Sequence, residues 1–257
     1  MSSQILVIAG MTHRSNVRNR ILTSLFGFAA GLTGAMVFFP SLIPGADERA
    51  AVDTSFALME VLGFTAVLFS LSIFFFREIE GKTCVLDLTK PVSRWQYLAG
   101  RYFGAVRTLA WLTFYMFSIF FLFAMVSRGG FSPYYAATAV YLFLEFTLLA
   151  AVAILFAVFT TSLPASVLFT LGVFVLGHGS PYLKAFSERA ESPLLRMCLR
   201  VLYVALPNLD FYNLKDKMDE AHYFVSPAYF GLSLGYTVVY VVLALSLAYL
   251  AFRRRDL

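Results

Sequence analysis

Apolar runs, each close to 20 residues long, constrain this chain more than any other feature of its sequence. A helix needs about 20 mainly apolar residues to cross the hydrocarbon layer of a bilayer. Six spans are predicted, at about residues 21–39, 57–76, 108–126, 136–160, 164–183 and 230–252. The fifth loosens through His178, Gly179 and Pro181. The sequence therefore predicts an all-α integral membrane protein in which residues 1–257 form a single transmembrane domain.

The composition agrees with this class and argues against a water-soluble domain. Charged residues make up 14% of the chain and hydrophobic residues 60%, whereas a soluble domain carries roughly 25% charged residues. The net charge is +5, which could suggest nucleic acid. However, the bases flank the apolar runs, so we expect membrane lipids as their partners and no nucleic acid.

Lys and Arg residues near the span ends predict the orientation. With both termini inside, the inner segments hold twelve bases against four acids. Six of the eight remaining bases lie in one long outer segment, residues 179–222, where the rule is weaker. We expect a multi-pass protein of the cytoplasmic (inner) membrane with both termini in the cytoplasm.

Two further helices are predicted to lie along the membrane surfaces. Residues Gln4 to Arg20 form a candidate helix in the inner interface, with arginines toward the headgroups. Pro193 to Leu206 is too short and too charged to span. Arg196 and Arg200 are four residues apart and so share one face of a predicted outer interfacial helix.

Candidate catalytic and metal-binding residues are few. No motif for nucleophilic catalysis occurs, so we do not expect an enzyme. The three histidines have no carboxylate or thiol at ligand spacing, so no metal site is predicted. Glu145 is the one ionisable residue placed well inside a span. It either bonds to another helix or belongs to a substrate pathway or dimer seam.

The tripeptide Gly81-Lys82-Thr83 has the ending of a phosphate-binding P-loop. In that loop a further glycine stands five residues before the glycine that precedes the lysine. Here the residue five positions before Gly81 is Phe76. No strand-to-helix turn is predicted here either. We therefore expect no nucleotide and no other cofactor on this chain.

The same segment carries a resemblance to a known family. The stretch REIEGKTCVLDLTKPVSRWQYLAGRYFG resembles the cytoplasmic loop of the type 2 ABC transporter permeases, with a charged start, a T-K-P-V-S-R centre and a Y-L-x-G-R-x-x-G end. The matching residues are Glu78, Thr83, Lys90, Pro91, Val92, Ser93, Arg94, Tyr97, Leu98, Gly100, Arg101 and Gly104. The basic N-terminal stretch and the ending LAYLAFRRRDL are also similar to that family.

The resemblance implies the membrane half of an ABC exporter. Two such permeases, identical or homologous, would pair, and two ATPase subunits carrying ATP and magnesium would dock beneath them. A coupling helix would lie between spans two and three, and a short outer helical hairpin, including Pro193 to Leu206, would precede span six. The docking residues implied by the coupling loop are Glu78, Glu80, Val85, Leu86, Lys90, Pro91 and Arg94.

The sequence does not identify the substrate and leaves alternative functions open. The Phe-rich spans favour a lipid-like or amphipathic cargo, although such spans are also ordinary lipid-facing helices. A permease-like subunit could instead transmit force to a periplasmic protein without moving a solute. A non-ABC transporter or assembly factor is the third alternative; against it, the sequence shows no inverted repeat of discontinuous helices and no midplane ion ligands.

Cysteine labelling of intact cells tests the orientation. In a background without the native cysteines, we expect a cysteine near Asp210 to react with a membrane-impermeant reagent, because that segment is predicted outside. A cysteine at Ser93 should react only after the membrane is permeabilised. The reverse pattern would contradict the predicted topology.

Overall fold

A computed structural model describes residues 2–42, 48–81, 92–128, 133–190, 192–214 and 226–254. Within these ranges the chain is helical and contains no strand. The α-helices are α1 (Ser2–Arg18), α2 (Arg20–Leu42), α3 (Glu48–Val67), α4 (Phe74–Glu80), α5 (Arg94–Arg128), α6 (Pro133–Phe159), α7 (Leu163–His178), α8 (Ser180–Arg189), α9 (Pro193–Ala205) and α10 (Pro227–Arg254). The all-α fold class is confirmed.

Four continuous helical segments of the described chain are long and apolar enough to cross a membrane. They are Val52–Glu80, Arg94–Leu122, Pro133–Phe159 and Pro227–Arg254. The bent pair of α7 and α8 makes a fifth if it forms one span. The first predicted span coincides with α2, whose side chains are described as far as residue 35. The structure is therefore compatible with a multi-pass membrane protein, and the total of six spans stays a prediction.

Helix α6 forms the centre of the bundle. It packs against α10, α5, α7 and α3, and 78% of its apolar window is buried inside the protein. A helix that is hydrophobic on all sides is expected to be surrounded by other elements. Any ionisable residue on α6 is therefore held deep in the bundle, and Glu145 is that residue.

The fifth predicted span is not a straight helix through Leu183. Helix α7 ends at His178, and α8 leaves it at an angle of 71°. Pro181 lies in the first turn of α8, where its missing N–H is tolerated but cannot continue the hydrogen bonds of α7. The N–H of Leu209 donates to the carbonyl oxygen of Gly177 at 3.1 Å. The outer segment thus satisfies a backbone acceptor that the break leaves at the end of α7.

A π-helical segment, Leu68–Ile73, joins α3 to α4. Its wider turn brings hydroxyl groups to neighbouring helices, because Asn16 donates to Ser70 Oγ at 2.7 Å and Ser72 Oγ lies 3.2 Å from Thr170 Oγ1. Such segments often mark functional positions in helices. Here the segment divides one long apolar helical element, Val52–Glu80, into a first part in α3 and a second part, α4.

Helix α5 begins at a local sequence signal, Ser93 followed three residues later by Gln96. The backbone N–H of Ser93 donates to Gln96 Oε1 at 2.9 Å, and the N–H of Gln96 donates to Ser93 Oγ at 3.3 Å. This reciprocal pair is a capping box, which satisfies two donors at a helix start. The helix then runs unbroken for 35 residues through the third predicted span.

Helix α1 packs along the N-terminal half of α5 through two glycines. A Cβ on Gly100 would lie 2.6 Å from the Cβ of Ile8. A Cβ on Gly104 would lie 2.4 Å from the Cβ of Thr12 and 2.7 Å from the carbonyl oxygen of Ala9. The predicted N-terminal helix is confirmed as a helix, and its close approach to α5 depends on these glycines.

Gly104→Ala should separate α1 from α5. The added methyl group meets backbone as well as side-chain atoms, so we expect a loss of about 1–3 kcal/mol, measured as a lower Tm and faster proteolysis of the N-terminal helix. Gly235→Ala is the matched control, because a Cβ there meets no heavy atom within 4 Å. Equal Tm and equal proteolysis for the two variants would contradict this packing.

Candidate functional site

Three ionisable side chains from three helices meet inside the bundle. Nε2 of His178, at the end of α7, lies 2.9 Å from Glu60 Oε1 of α3. The same nitrogen lies 3.5 Å from Glu145 Oε1 of α6. One ligand atom from each residue lies within 4.8 Å of the other two. We call Glu60, Glu145 and His178 the intramembrane cluster.

The fold fixes the His178 ring from two sides. Its Nδ1 lies 3.0 Å from the carbonyl oxygen of Phe174, one helical turn earlier. The Phe174 ring meets the imidazole edge-on at 4.7 Å and stacks on Phe64 of α3 at 4.0 Å. The imidazole therefore turns its Nε2 toward the carboxylates and not toward the lipid.

Burial differs sharply across the intramembrane cluster. The side chain of Glu145 is 2% exposed, that of Glu60 is 12% exposed and that of His178 is 25% exposed. Ionisable groups are costly at such depth and are retained mainly where they have a function. The cluster is thus enclosed by protein at Glu145 and partly exposed at His178.

The outer segment before α10 covers this region. Tyr212 is buried and its hydroxyl lies 2.6 Å from Thr237 Oγ1. Burial raises the pKa of Tyr212 well above its usual value, and the negative charge of Glu145 raises it further, although the Thr237 contact lowers it. Tyr212 therefore keeps its proton at neutral pH and places a neutral hydroxyl near the cluster.

The sequence analysis did not predict that Glu60, Glu145 and His178 would meet. Glu145 faces another helix, in line with the first of its two interpretations; a role in a pathway or seam stays a prediction. His178 does have carboxylates nearby, but they come from distant helices, which sequence spacing does not reveal. The usable signal was weak: Glu60, Glu145 and His178 are the ionisable residues that interrupt otherwise uncharged predicted spans.

A second polar network joins α1, α4 and the first turns of α5. Glu78 of α4 forms an ion pair with Arg101 of α5 and accepts a hydrogen bond from Tyr97 at 3.4 Å. Arg101 also donates to Thr12 of α1 at 3.3 Å. Beside it lies a cavity of about 250 Å³, lined in part by Asn16, Ser70, Glu78 and Arg101. Three helices are therefore joined through one arginine.

Nearby, α1 and α5 share a further polar contact. His13 Nδ1 lies 3.1 Å from Thr108 Oγ1. Burial lowers the pKa of His13, and the positive charge of Arg107 lowers it further. His13 is therefore neutral at pH 7 and acts here as a hydrogen-bonding group.

Arg94 joins the start of α5 to the end of α10. Its Nη1 donates to the carbonyl oxygen of Phe252 at 2.7 Å and to that of Arg253 at 3.1 Å. Its guanidinium lies 5.8 Å from the centre of the Phe252 ring. A cation is favourable at a helix C-terminus, where carbonyl groups lack helical partners. Arg94 is thus a structural clamp in the isolated chain.

The remaining predicted docking residues fall into two groups. Glu80, at the end of α4, is exposed. Val85, Leu86, Lys90 and Pro91 lie outside the described residues, and the predicted coupling helix lies there too. Tyr97, one of the residues that match the family's loop, is fully buried and packs between Glu78, Arg101 and Phe252.

Helix α9 has no buried residue. Arg196 and Arg200 are both exposed, and Arg196 donates to the carbonyl oxygen of Ala190 at 2.8 Å. Four apolar side chains at helical spacing are also exposed: Leu194, Met197, Val201 and Val204. An exposed apolar stripe on an amphipathic helix is typical of a position in the membrane interface.

Comparisons with known proteins do not assign this chain to a family. No protein-family model matches the chain, and no curated protein is similar to it. Its class is that of a helical protein compatible with several membrane spans, and its function has to be argued from the residues above.

Arg94→Ala should loosen the end of α10. The variant loses two charge-assisted hydrogen bonds at a half-exposed position, so we expect local stability to fall by about 1–2 kcal/mol, with faster amide hydrogen exchange over the last turn of α10. Arg77→Ala is the control, because the described part of the structure gives the exposed side chain of Arg77 no hydrogen bond or ion pair. Unchanged exchange in Arg94→Ala would contradict the clamp.

Proposed function

We propose that this chain is the transmembrane subunit of an ABC transporter. The observation that carries the proposal is the anchoring of the cytoplasmic segment whose sequence resembles the type 2 permease coupling loop. Both flanks of residues 82–91 are tied to other helices of the bundle. The subunit would move its substrate across the cytoplasmic membrane with ATP hydrolysed by a separate subunit.

The flank before this segment is α4, and Glu78 ties it to α5 and α1 through Arg101. The flank after it is the capped start of α5, and Arg94 ties that start to α10. A push on the segment therefore acts on α4, α5 and α10 together. That is the mechanical requirement for a surface that takes up movement of an ATPase.

The partners follow from this role. Two ATPase subunits would carry ATP and magnesium, so this chain would need no cofactor and would not be an enzyme. A second copy or a homologue would complete the transmembrane pair. A lipid-like or amphipathic substrate is favoured by the apolar spans and by the apolar stripe of α9, which fits the outer leaflet. Both termini would lie in the cytoplasm.

Two alternatives have specific tests. A permease-like subunit that only transmits force would retain a periplasmic protein during purification. A non-ABC, ion-coupled transporter is favoured by one observation: the break between α7 and α8 lies beside the intramembrane cluster. Discontinuous helices with ion ligands are typical of secondary transporters. Transport that persists without any ATPase would select this second candidate function.

Glu80→Lys tests the docking surface. Glu80 is exposed, so its substitution should leave Tm unchanged, whereas Glu78 and Arg94 also hold the bundle together. A reversed charge at an interface orients the partner wrongly, so we expect retention of the co-expressed ATPase to fall on the order of tenfold.

Glu188→Lys is the matched control, because Glu188 is an exposed carboxylate on the predicted outer side. ATPase retention and substrate-stimulated hydrolysis are measured for both variants in the same membrane preparation. Full retention and full hydrolysis in Glu80→Lys would contradict docking at this surface.

A further inference from the structure

We propose that Glu60, Glu145 and His178 bind a divalent transition-metal cation inside the bundle. This inference concerns a site on the chain itself, goes beyond the proposed ABC role and does not depend on it. Four observations carry it: the donor geometry, the orientation of the imidazole, the charge of the cluster and its one open side.

The donor atoms already lie close to the separations from one another that they would have around one bound ion. Zn²⁺ binds imidazole nitrogen and carboxylate oxygen at about 2.0–2.2 Å, so donors in a tetrahedral site lie about 3.3 Å apart. The observed separations from His178 Nε2 are 2.9 Å to Glu60 and 3.5 Å to Glu145. Small rotations of the side chains would make these two separations equal around one ion.

The orientation of His178 suits ligation. Its Nδ1 faces the Phe174 carbonyl oxygen at 3.0 Å, and a carbonyl accepts only, so Nδ1 carries a proton. In the neutral ring Nε2 then holds a lone pair directed at two carboxylates. Metal-binding histidines commonly have this arrangement, in which the second ring N–H donates to a backbone carbonyl.

The charges balance with a divalent ion. Two carboxylates carry −2, and a protonated imidazole would leave −1 in a region nearly free of water. A divalent cation with neutral His178 gives zero net charge. Buried charges are retained where they are paired or coordinate metals, so a divalent ion completes the intramembrane cluster.

The graded exposure leaves room for a fourth ligand. Glu145 lies at the closed end and His178 at the open end, where 25% of its side chain is exposed. Three protein ligands with one open position are typical of sites that exchange water or substrate.

The ligand types select the class of ion. Two carboxylates and one imidazole suit Zn²⁺, Mn²⁺, Fe²⁺ or Co²⁺. Ca²⁺ takes six to eight oxygen ligands, and Mg²⁺ is bound mainly by oxygen. The absence of thiolate and thioether ligands from the cluster disfavours Cu(I). A cluster that binds only protons is the competing explanation.

Metal binding is measured on the full-length chain in nanodiscs with any affinity tag removed. After equilibration with Zn²⁺ and desalting, metal analysis should give one Zn²⁺ per chain, and Zn²⁺ should raise Tm. Co²⁺ should add visible d–d absorption of the intensity that four-coordinate sites give. Millimolar Mg²⁺ should not displace either ion.

Glu145→Gln keeps the side-chain shape but removes a ligand charge, and we expect its Zn²⁺ affinity to fall on the order of tenfold or more. His178→Gln is the second ligand variant, should the first fold poorly. Glu188→Gln is the control carboxylate outside the cluster and should bind as the unsubstituted protein does. Far less than one Zn²⁺ per chain, or equal binding by the ligand variants and Glu188→Gln, would overturn the site.

Discussion

The hydrocarbon layer offers no water, so every polar group placed at its depth needs a partner within the protein. The helical architecture and the polar contacts between helices meet this constraint. Where α7 breaks, the Gly177 carbonyl is satisfied by Leu209. Where the π-helical segment widens its turn, Asn16 and Thr170 meet its hydroxyl groups.

The polar contacts form two layers on the same spanning element. Glu60 lies on α3 in the intramembrane cluster, and Glu78 lies on α4 in the second polar network. The π-helical segment Leu68–Ile73 lies between them. A rotation of this element about the π-helical segment would act on both layers. The cation site and the docking surface proposed here therefore share one mechanical connection.

Much of the fold could be predicted from the sequence, and the site mostly could not. Uncharged runs predicted the long apolar helices, because such runs are a local signal. Gly179 and Pro181 signalled the break, but the 71° bend depends on how the outer segment packs. The meeting of Glu60 with His178 joins residues more than a hundred positions apart. Likewise, the contacts of Arg94 with carbonyls of α10 join distant positions, and its docking role stays a prediction.

The proposal of a transmembrane subunit driven by a separate ATPase is tested most directly by native mass spectrometry. The chain is purified from its own host in mild detergent at its normal expression level. The proposal predicts a complex of two transmembrane subunits with two copies of a nucleotide-binding ATPase. A complex that contains no ATPase, and that still transports in sealed vesicles without ATP, would contradict it.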